Sequence, residues 1–332
     1  MKPNLIAIAV DKGMFPPAAF LADRLASLNP RSDVDIAIFS DAEEEMERAR
    51  QFGVPAELIF AKLPTELFSP ATQRITAGAF LKFFVPEFAG DEVRRILYLD
   101  ADVYPENDNI FRLFDLDMGG FAVASTCDIR LVYTAEKSYL KTEFAKARIS
   151  GNSYQNGGVN LIDRDLFLKA KIGTRAFNIT LKHGLRVDLA FNRALAGKWL
   201  PLSPAMNAPM DLRDVITSCG YRPDLTHFIG KTKPWHGVQF ASDHPARRDI
   251  EAYLSQSPWR EYGSRLNSFQ AAWDAVQAKS GGPTFAAPVK RQTFNPSKNL
   301  DLEGLQTYLR NAEFADVAQG ITSVNPRPSQ PA

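Results

Sequence analysis

Two aspartates one residue apart, Asp100 and Asp102, close the apolar run in "RRILYLDADVYPEND", residues 94–108. In an extended segment the side chains at i and i+2 leave the same face, so these carboxylates are expected to converge while Ala101 turns away. Two converging carboxylates invite a divalent cation. A third ligand is available downstream: in "LTHFIGKTKPWHG", residues 225–237, His227 follows a short apolar stretch. In the same segment Gly230 lets backbone approach a phosphate, and Lys233 offers a point charge to phosphate oxygens. Asp11 ends the first apolar run of the chain. In open α/β sheets ligands bind beyond the carboxyl ends of the strands, which is where Asp11, Asp100 and Asp102 are expected to sit. An Asp at such a place is also a common turn or helix cap.

Two chemistries compete for the paired carboxylates. Phosphatases of haloacid-dehalogenase type present an Asp-x-Asp after an apolar strand, with the first Asp as nucleophile and Mg²⁺ beside it. They carry that motif on the first strand and need a second acidic cluster late in the chain; here about a hundred residues precede Asp100, and no late Asp-Asp pair is present. In a sugar-nucleotide transferase the carboxylates hold a cation that neutralises the leaving nucleoside diphosphate. That chemistry requires further phosphate-binding groups, and Gly230 and Lys233 supply them.

The elements that must carry these residues read as α/β. Short continuous apolar runs recur ("LIAIAV", "VDIAIF", "ELIFA", "RILYL", "GFAVAS", "GVNLI"), as strands covered on both faces require. Helical patterns lie between them: "PPAAFLADRLASL" opens on prolines suited to a first turn, "SDAEEEMERARQFG" is acidic early, basic late and stopped by Gly53, and "TQRITAGAFLKFFVPEF" repeats apolar residues at helical spacing. The alternation predicts a doubly wound, mostly parallel sheet. A catalytic domain is expected over residues 1–281. Residues 282–332 read as an appendage: a linker within "SGGPTFAAPVKRQTFNPSKN", an amphipathic helix in "LDLEGLQTYLRNAEFADVAQG" with Leu302, Leu305, Leu309, Phe314 and Val317 on one stripe, and a disordered end "NPRPSQPA". That stripe needs the catalytic domain, a second subunit or a membrane surface to cover it.

Composition narrows the class. In 332 residues, 39 Lys and Arg nearly balance 38 Asp and Glu, which speaks against bulk attraction to nucleic acid or to an anionic membrane. Two cysteines, Cys127 and Cys219, are too few for a disulfide framework and lack metal-ligand spacing. Residues 5–10 form too short an apolar run for a signal peptide, and no run is long enough to cross a bilayer. A cytoplasmic protein is expected, with contact at the inner face of a membrane as an option.

"LYLDADV", "YQNGGVNLID" and "HFIGKTKPWH", in this order and separation, resemble the family-8 retaining glycosyltransferases of GT-A fold, a family that includes bacterial lipopolysaccharide galactosyl- and glucosyltransferases. The resemblance covers roughly residues 4–260, with "IAVDKGMF", "FLKFFVPEF" and "SPW" at residues 257–259 adding to it. It implies transfer of a hexose from a UDP-sugar to a hydroxyl of a glycan, lipid-linked or small-molecule acceptor. Asp11 would contact the uracil or ribose; Asp100, Asp102 and His227 would hold Mn²⁺, with Mg²⁺ as the alternative ion, and Asp100 would also lie near the ribose or sugar. Gly230 and Lys233 would bind the diphosphate, and Asn156, Gly157 and Gly158 would line the donor-sugar pocket. Two departures stand out. Lys82 occupies the place of a family Arg, a point charge instead of a planar fork. The family's Asp-Gln-x-x-Leu-Asn element appears as "VDLAFNRAL", with Asp188 and Asn192 recognisable, Leu189 in place of the amide and the spacing one residue shorter. Asp188 is the carboxylate to test as nucleophile, against front-face attack. An inactive sugar-nucleotide-binding protein is the reading in which those departures abolish transfer. His183 is expected late in a helix, and His236 and His244 as structural or exposed residues.

Overall fold

A computed structural model describes residues 1–63, 77–133, 144–145, 147–149, 154–230, 233–239, 243–262 and 300–314. Ten strands are described: β1 (Asn4–Ala9), β2 (Val34–Ser40), β3 (Glu57–Phe60), β4 (Arg95–Leu99), β5 (Val103–Pro105), β6 (Val123–Cys127), β7 (Gln155–Asp163), β8 (Leu200–Pro201), β9 (Ala208–Pro209) and β10 (Leu225–His227). Seven form one sheet in the order β3-β2-β1-β4-β7-β6-β8, and β5-β10-β9 form a small second one. Four of the six pairings in the large sheet are parallel; only β7, between β4 and β6, runs against its neighbours. The mostly parallel α/β architecture expected from the apolar runs is the one observed, and β7 makes the sheet mixed, as the GT-A resemblance implies.

Helices cover both faces, as strands without a polar side demand. On one face lie α1 (Phe15–Ser27), with Pro16 and Pro17 in its first turn, and α2 (Glu43–Phe52), closed by Gly53 at φ 82°. Packed with them is α10 (Pro245–Gln256), whose Ile250 and Leu254 join the same core as Leu21 and Leu25. The opposite face carries α3 (Ala77–Leu81), α4 (Val85–Phe88), α5 (Ile129–Val132), α6 (Arg164–Lys169), α7 (Ile172–His183), α8 (Val187–Leu195), α9 (Arg213–Ser218) and α11 (Leu302–Asn311). The aromatics of "FLKFFVPEF" pack there: Phe80 lies 5.3 Å from Phe177 and Phe83 5.5 Å from Phe191, ring centre to ring centre. The segment is not one helix. Pro86 belongs to the first turn of α4, and a ring that lacks an N–H cannot sit inside a continuous helix, so a turn separates α3 from α4. Lys82 stands in that turn.

The helix of the C-terminal region is shorter than its sequence pattern: it ends at Asn311, and Ala312 is already extended at ψ 141°. Leu305 and Leu309 are fully buried in the core that also holds Phe80, Ile96 and Ile216, so the catalytic domain covers this part of the stripe. Val317, the linker over residues 282–299 and the terminal "NPRPSQPA" lie outside the described residues. No helix among the described residues is long and apolar enough to cross a membrane.

Candidate active site

Between β4 and β5 the chain leaves the large sheet for the small one, and it does so in a turn: the Val103 N–H donates to the Asp100 carbonyl at 3.3 Å. Asp100 and Asp102 therefore approach across a turn, not by alternation along one extended strand as the sequence suggests. The antiparallel register of β4 with β7 continues to the Asp100 N–H, which donates to the Gly158 carbonyl at 2.8 Å. The β5–β10 register sets His227 opposite Val103 and carries its ring to Asp102, with Nε2 3.2 Å from Oδ1. One ligand atom each of Asp100, Asp102 and His227 then lie within 4.8 Å of one another. Two carboxylates and an imidazole at that spacing fit a divalent cation.

Two ammonium groups face this cluster. Lys233 Nζ contacts Asp102 Oδ2 directly and donates to the Phe228 carbonyl at 2.6 Å. Burial opposes ionisation of Asp102, yet His227 and Lys233 outweigh it and hold the carboxyl well below the usual carboxylate range. Lys82 Nζ lies 3.5 Å from Asp100 Oδ1, 3.8 Å from Asp188 Oδ1 and 5.6 Å from the centre of the Tyr98 ring. Burial disfavours the Lys82 charge, but Asp100 and Asp188 reverse this and raise its pKa above the ordinary lysine value. The Tyr98 hydroxyl donates to Asp100 Oδ1 at 2.7 Å. Lys82 is thus a point charge shared between two carboxylates.

The "QNGG" segment begins β7 and forms the floor between these groups. Asn192 of α8 clamps its start: Oδ1 accepts from the Gln155 N–H at 2.7 Å and Nδ2 donates to the Gln155 carbonyl at 3.0 Å. Asn156 Oδ1 accepts from the Gly158 N–H at 2.9 Å, and its Nδ2 donates to Asp128 Oδ2 at 3.1 Å. Lys82 Nζ reaches the Gly157 carbonyl at 3.5 Å. Asp188, in the first turn of α8, is held between Lys82 and Arg186, the latter at 3.7 Å. Its neighbour Leu189 is buried with Tyr154, Leu185 and Ala190, because successive helical residues cannot face the same way. Leu189 is thus part of the core and not of the site's lining.

Asp11 emerges at the same rim as Asp100, since β1 and β4 run parallel with Ile8 opposite Leu99. Its Oδ1 caps a turn, accepting from the Gly13 and Met14 N–H groups at 3.0 and 3.1 Å, and it stands apart from the three-residue cluster. Gly230 takes φ 98°, a conformation that glycine alone adopts without strain. His236 Nδ1 accepts from the Lys233 N–H at 3.3 Å, and His244 caps α10 and pairs with Glu106 at 2.9 Å, so both are structural. His183 closes α7. Three residues of the site escape sequence reasoning: Tyr98, Asp128 and Asn207. Tyr98 shares a strand face with Asp100, a signal available at i and i+2; Asp128 and Asn207 come from distant segments with no local motif.

The family model described as "Glycosyl transferase family 8" matches residues 6–239 of this chain. General stress protein A of Bacillus subtilis (strain 168) is 27% identical over 253 residues, 70% of this chain and 84% of that protein. Lipopolysaccharide 1,3-galactosyltransferase of Salmonella typhimurium is 24% identical over 284 residues, covering 76% and 78% of the two chains. Lipopolysaccharide 1,2-glucosyltransferase of Escherichia coli (strain K12) is 26% identical over 213 residues, 59% of each. Among solved structures, the galactosyltransferase LgtC in complex with donor and acceptor sugar analogues superposes with a TM-score of 0.62 at 16% identity, over 78% of this chain and 99% of that one. At that identity the likeness speaks to the fold alone.

Proposed function

The chain belongs to glycosyl transferase family 8 and has the GT-A-type fold, and from this premise we propose that it moves a hexose, glucose or galactose, from a UDP-sugar to a hydroxyl acceptor with retention of configuration. The observation that carries the reading is the convergence of Asp100, Asp102 and His227 beside Lys233 and the "QNGG" floor. Asp100, Asp102 and His227 would hold the ion, and Mn²⁺ suits a donor set with one imidazole better than Mg²⁺ does. When bound, such a cation supplies Lewis-acid neutralisation of the departing diphosphate. Lys233, which contacts Asp102, would add its charge to the same oxygens, and Gly230 would let the backbone approach them. Asp11 is assigned to the nucleoside end at the rim, and Lys82, Asn156, Gly157 and Gly158 to the sugar. Asp188 is paired with two cationic groups, which blunts it as a nucleophile; front-face attack is the mechanism favoured, and Asp188 remains the residue to test. The acceptor is a glycan, a lipid-linked saccharide or a small molecule. Assembly of cell-surface glycan, lipopolysaccharide included, by a cytoplasmic enzyme working at the inner membrane face is the setting proposed.

The test is UDP release from UDP-glucose, UDP-galactose and their N-acetyl and uronic-acid relatives, with Mn²⁺ and with chelator. Turnover of a hexose donor that needs the ion is expected, and Asp102→Ala should abolish cation-dependent UDP binding. Full activity in chelator would sink the proposal. Phosphate release from aryl phosphates without UDP-sugar turnover would favour the phosphatase reading, and UDP-sugar binding without hydrolysis or transfer would make the chain a binding protein.

A further inference from the structure

His227 has two ring nitrogens, and only one of them faces the carboxylates. Nε2 lies 3.2 Å from Asp102 Oδ1, and Nδ1 lies 2.8 Å from Asn207 Oδ1 on the other side. Which nitrogen keeps its proton is decided by a chain of amides whose directions are fixed at the far end. The Gly158 N–H can only donate, so the Asn156 atom 2.9 Å from it is the carbonyl oxygen. The other end of that amide, 3.1 Å from Asp128 Oδ2, is then the NH₂. Asn156 Oδ1 also accepts from Asn207 at 3.0 Å, so the Asn207 group there is its NH₂ as well. Asn207 consequently turns its carbonyl oxygen to His227 Nδ1, and a carbonyl oxygen only accepts. Turning either amide over would set oxygen against oxygen or N–H against N–H. All three side chains are buried, so water does not compete for these bonds.

We infer that Asn207, held in turn by Asn156, is a positioning residue that keeps a proton on Nδ1 of His227, so that Nε2, on the side of Asp102, is the nitrogen presented to the divalent cation. The inference rests on the cation reading of Asp100, Asp102 and His227. Imidazoles that ligate metals donate their other N–H to an outer partner, which sets both tautomer and ring orientation. A neutral amide does this here without adding another buried negative charge between Asp102 and Asp128. The backbone enforces the placement: Asn207 directly precedes β9, whose Pro209 is in register with His227 of β10.

The chain has four histidines, so the ring nitrogens of the full-length, metal-free protein can be resolved by ¹⁵N NMR after imidazole labelling. The expected result is a His227 Nδ1 with the shift of a protonated nitrogen, and an Nε2 that sub-stoichiometric Mn²⁺ broadens first. Asn207→Leu, which keeps the volume and removes both hydrogen bonds, should let the Nδ1 proton go and leave the Nε2–H form beside Asp102 favoured, weakening Mn²⁺ binding, followed by the EPR signal of the free ion, by about 10- to 100-fold. Asn207→Asp, still an acceptor for Nδ1–H, should keep the tautomer. A wild-type Nδ1 with the shift of an unprotonated nitrogen would overturn the assignment, and this measurement needs no variant to fold. Mn²⁺ affinity in folded Asn207→Leu within twofold of wild type would overturn the positioning role. A wild type with protonated Nδ1 that binds no Mn²⁺ would instead overturn the cation site, separating the failure of that reading from the failure of the relay.

Discussion

Gly158 occupies a place with no room for a side chain. A Cβ there would fall far inside contact distance of His227 Cε1 and 3.1 Å from Asn156 Oδ1, and both groups are buried and hydrogen-bonded in place. Gly158→Ala is expected to cost about 1–3 kcal/mol in stability, read by denaturant titration, and to displace the ring that the cation needs. Unchanged Mn²⁺ affinity in that variant would mean that the ring yields freely. Gly157 is the contrast: its Cβ would meet Lys82 Nζ at 3.4 Å and Asp188 Oδ1 at 3.5 Å, ordinary contacts that leave the fold intact and narrow the space between those two groups. Lys233 gives a prediction with two signs. Its ammonium competes with a cation for Asp102, so Lys233→Met should tighten Mn²⁺ binding in the absence of donor. The same change removes charge from the departing diphosphate and should lower turnover by about 10²- to 10³-fold. A fall in both, or in neither, would refute the assignment. Asp100, Asp102, His227 and Lys233 are legible in the sequence because each sits in a short segment whose spacing carries the chemistry. Asn207 and Asp128 are not, because an Asn in "PAMNAP" and an Asp after "STC" gain meaning only when β9 is laid against β10 and β6 against β7.

The small sheet is the element that sequence periodicity leaves out. Its strands span only two or three residues each, too short to show an alternation, yet they decide where His227 lies. The long apolar runs, by contrast, locate β1, β2 and β4 to within one residue, since burial on both faces leaves few polar positions to blur the ends, whereas "GVNLI" misses the first three residues of β7 and "GFAVAS" begins three ahead of β6. At the edge of the small sheet Glu106 anchors three segments: it accepts from Thr226 at 2.6 Å, pairs with His244 at 2.9 Å and lies 3.4 Å from Arg213. Burial pushes its pKa up, but His244, Thr226 and Arg213 outweigh this and leave it below the ordinary glutamate value. A carboxyl whose folded pKa is depressed contributes stability that is fully present above its unfolded pKa of about 4.3 and is lost as the pH falls through the lower, folded value. Glu106→Gln should therefore lower Tm at pH 6 and flatten the loss of Tm below about pH 4.3. Parallel Tm curves for wild type and variant across that range would exclude Glu106 as a source of the acid sensitivity.

At the scale of the whole molecule, α11 decides where the catalytic domain ends. Read from sequence, residues after 281 are a separable appendage, because a linker-like composition precedes one amphipathic helix. The fold gives that helix a place in the core: Leu305 and Leu309 are fully buried, the Tyr221 hydroxyl donates to the Leu309 carbonyl at 2.7 Å, and the Asp301 N–H donates to the Tyr133 carbonyl at 2.8 Å. Tyr308 stands 5.2 Å from the Tyr133 ring, and burial pushes the Cys127 thiol nearby up to about 12. Cys127 ends β6, and the next residue is Asp128, the far anchor of the amide chain that reaches His227. Removing α11 thus uncovers apolar surface directly behind the segment that holds the site. Leu305→Ala and Leu309→Ala should each cost about 2–5 kcal/mol, the range for emptying a packed leucine site, whereas Leu302→Ala, at a position 48% exposed, should be nearly neutral. A chain truncated before residue 300 is expected to show a lower Tm together with weaker Mn²⁺ binding, since loosening Cys127 loosens Asp128. Truncation with both quantities unchanged would make α11 the detachable appendage that composition suggests, and would place the boundary of the catalytic domain ahead of it.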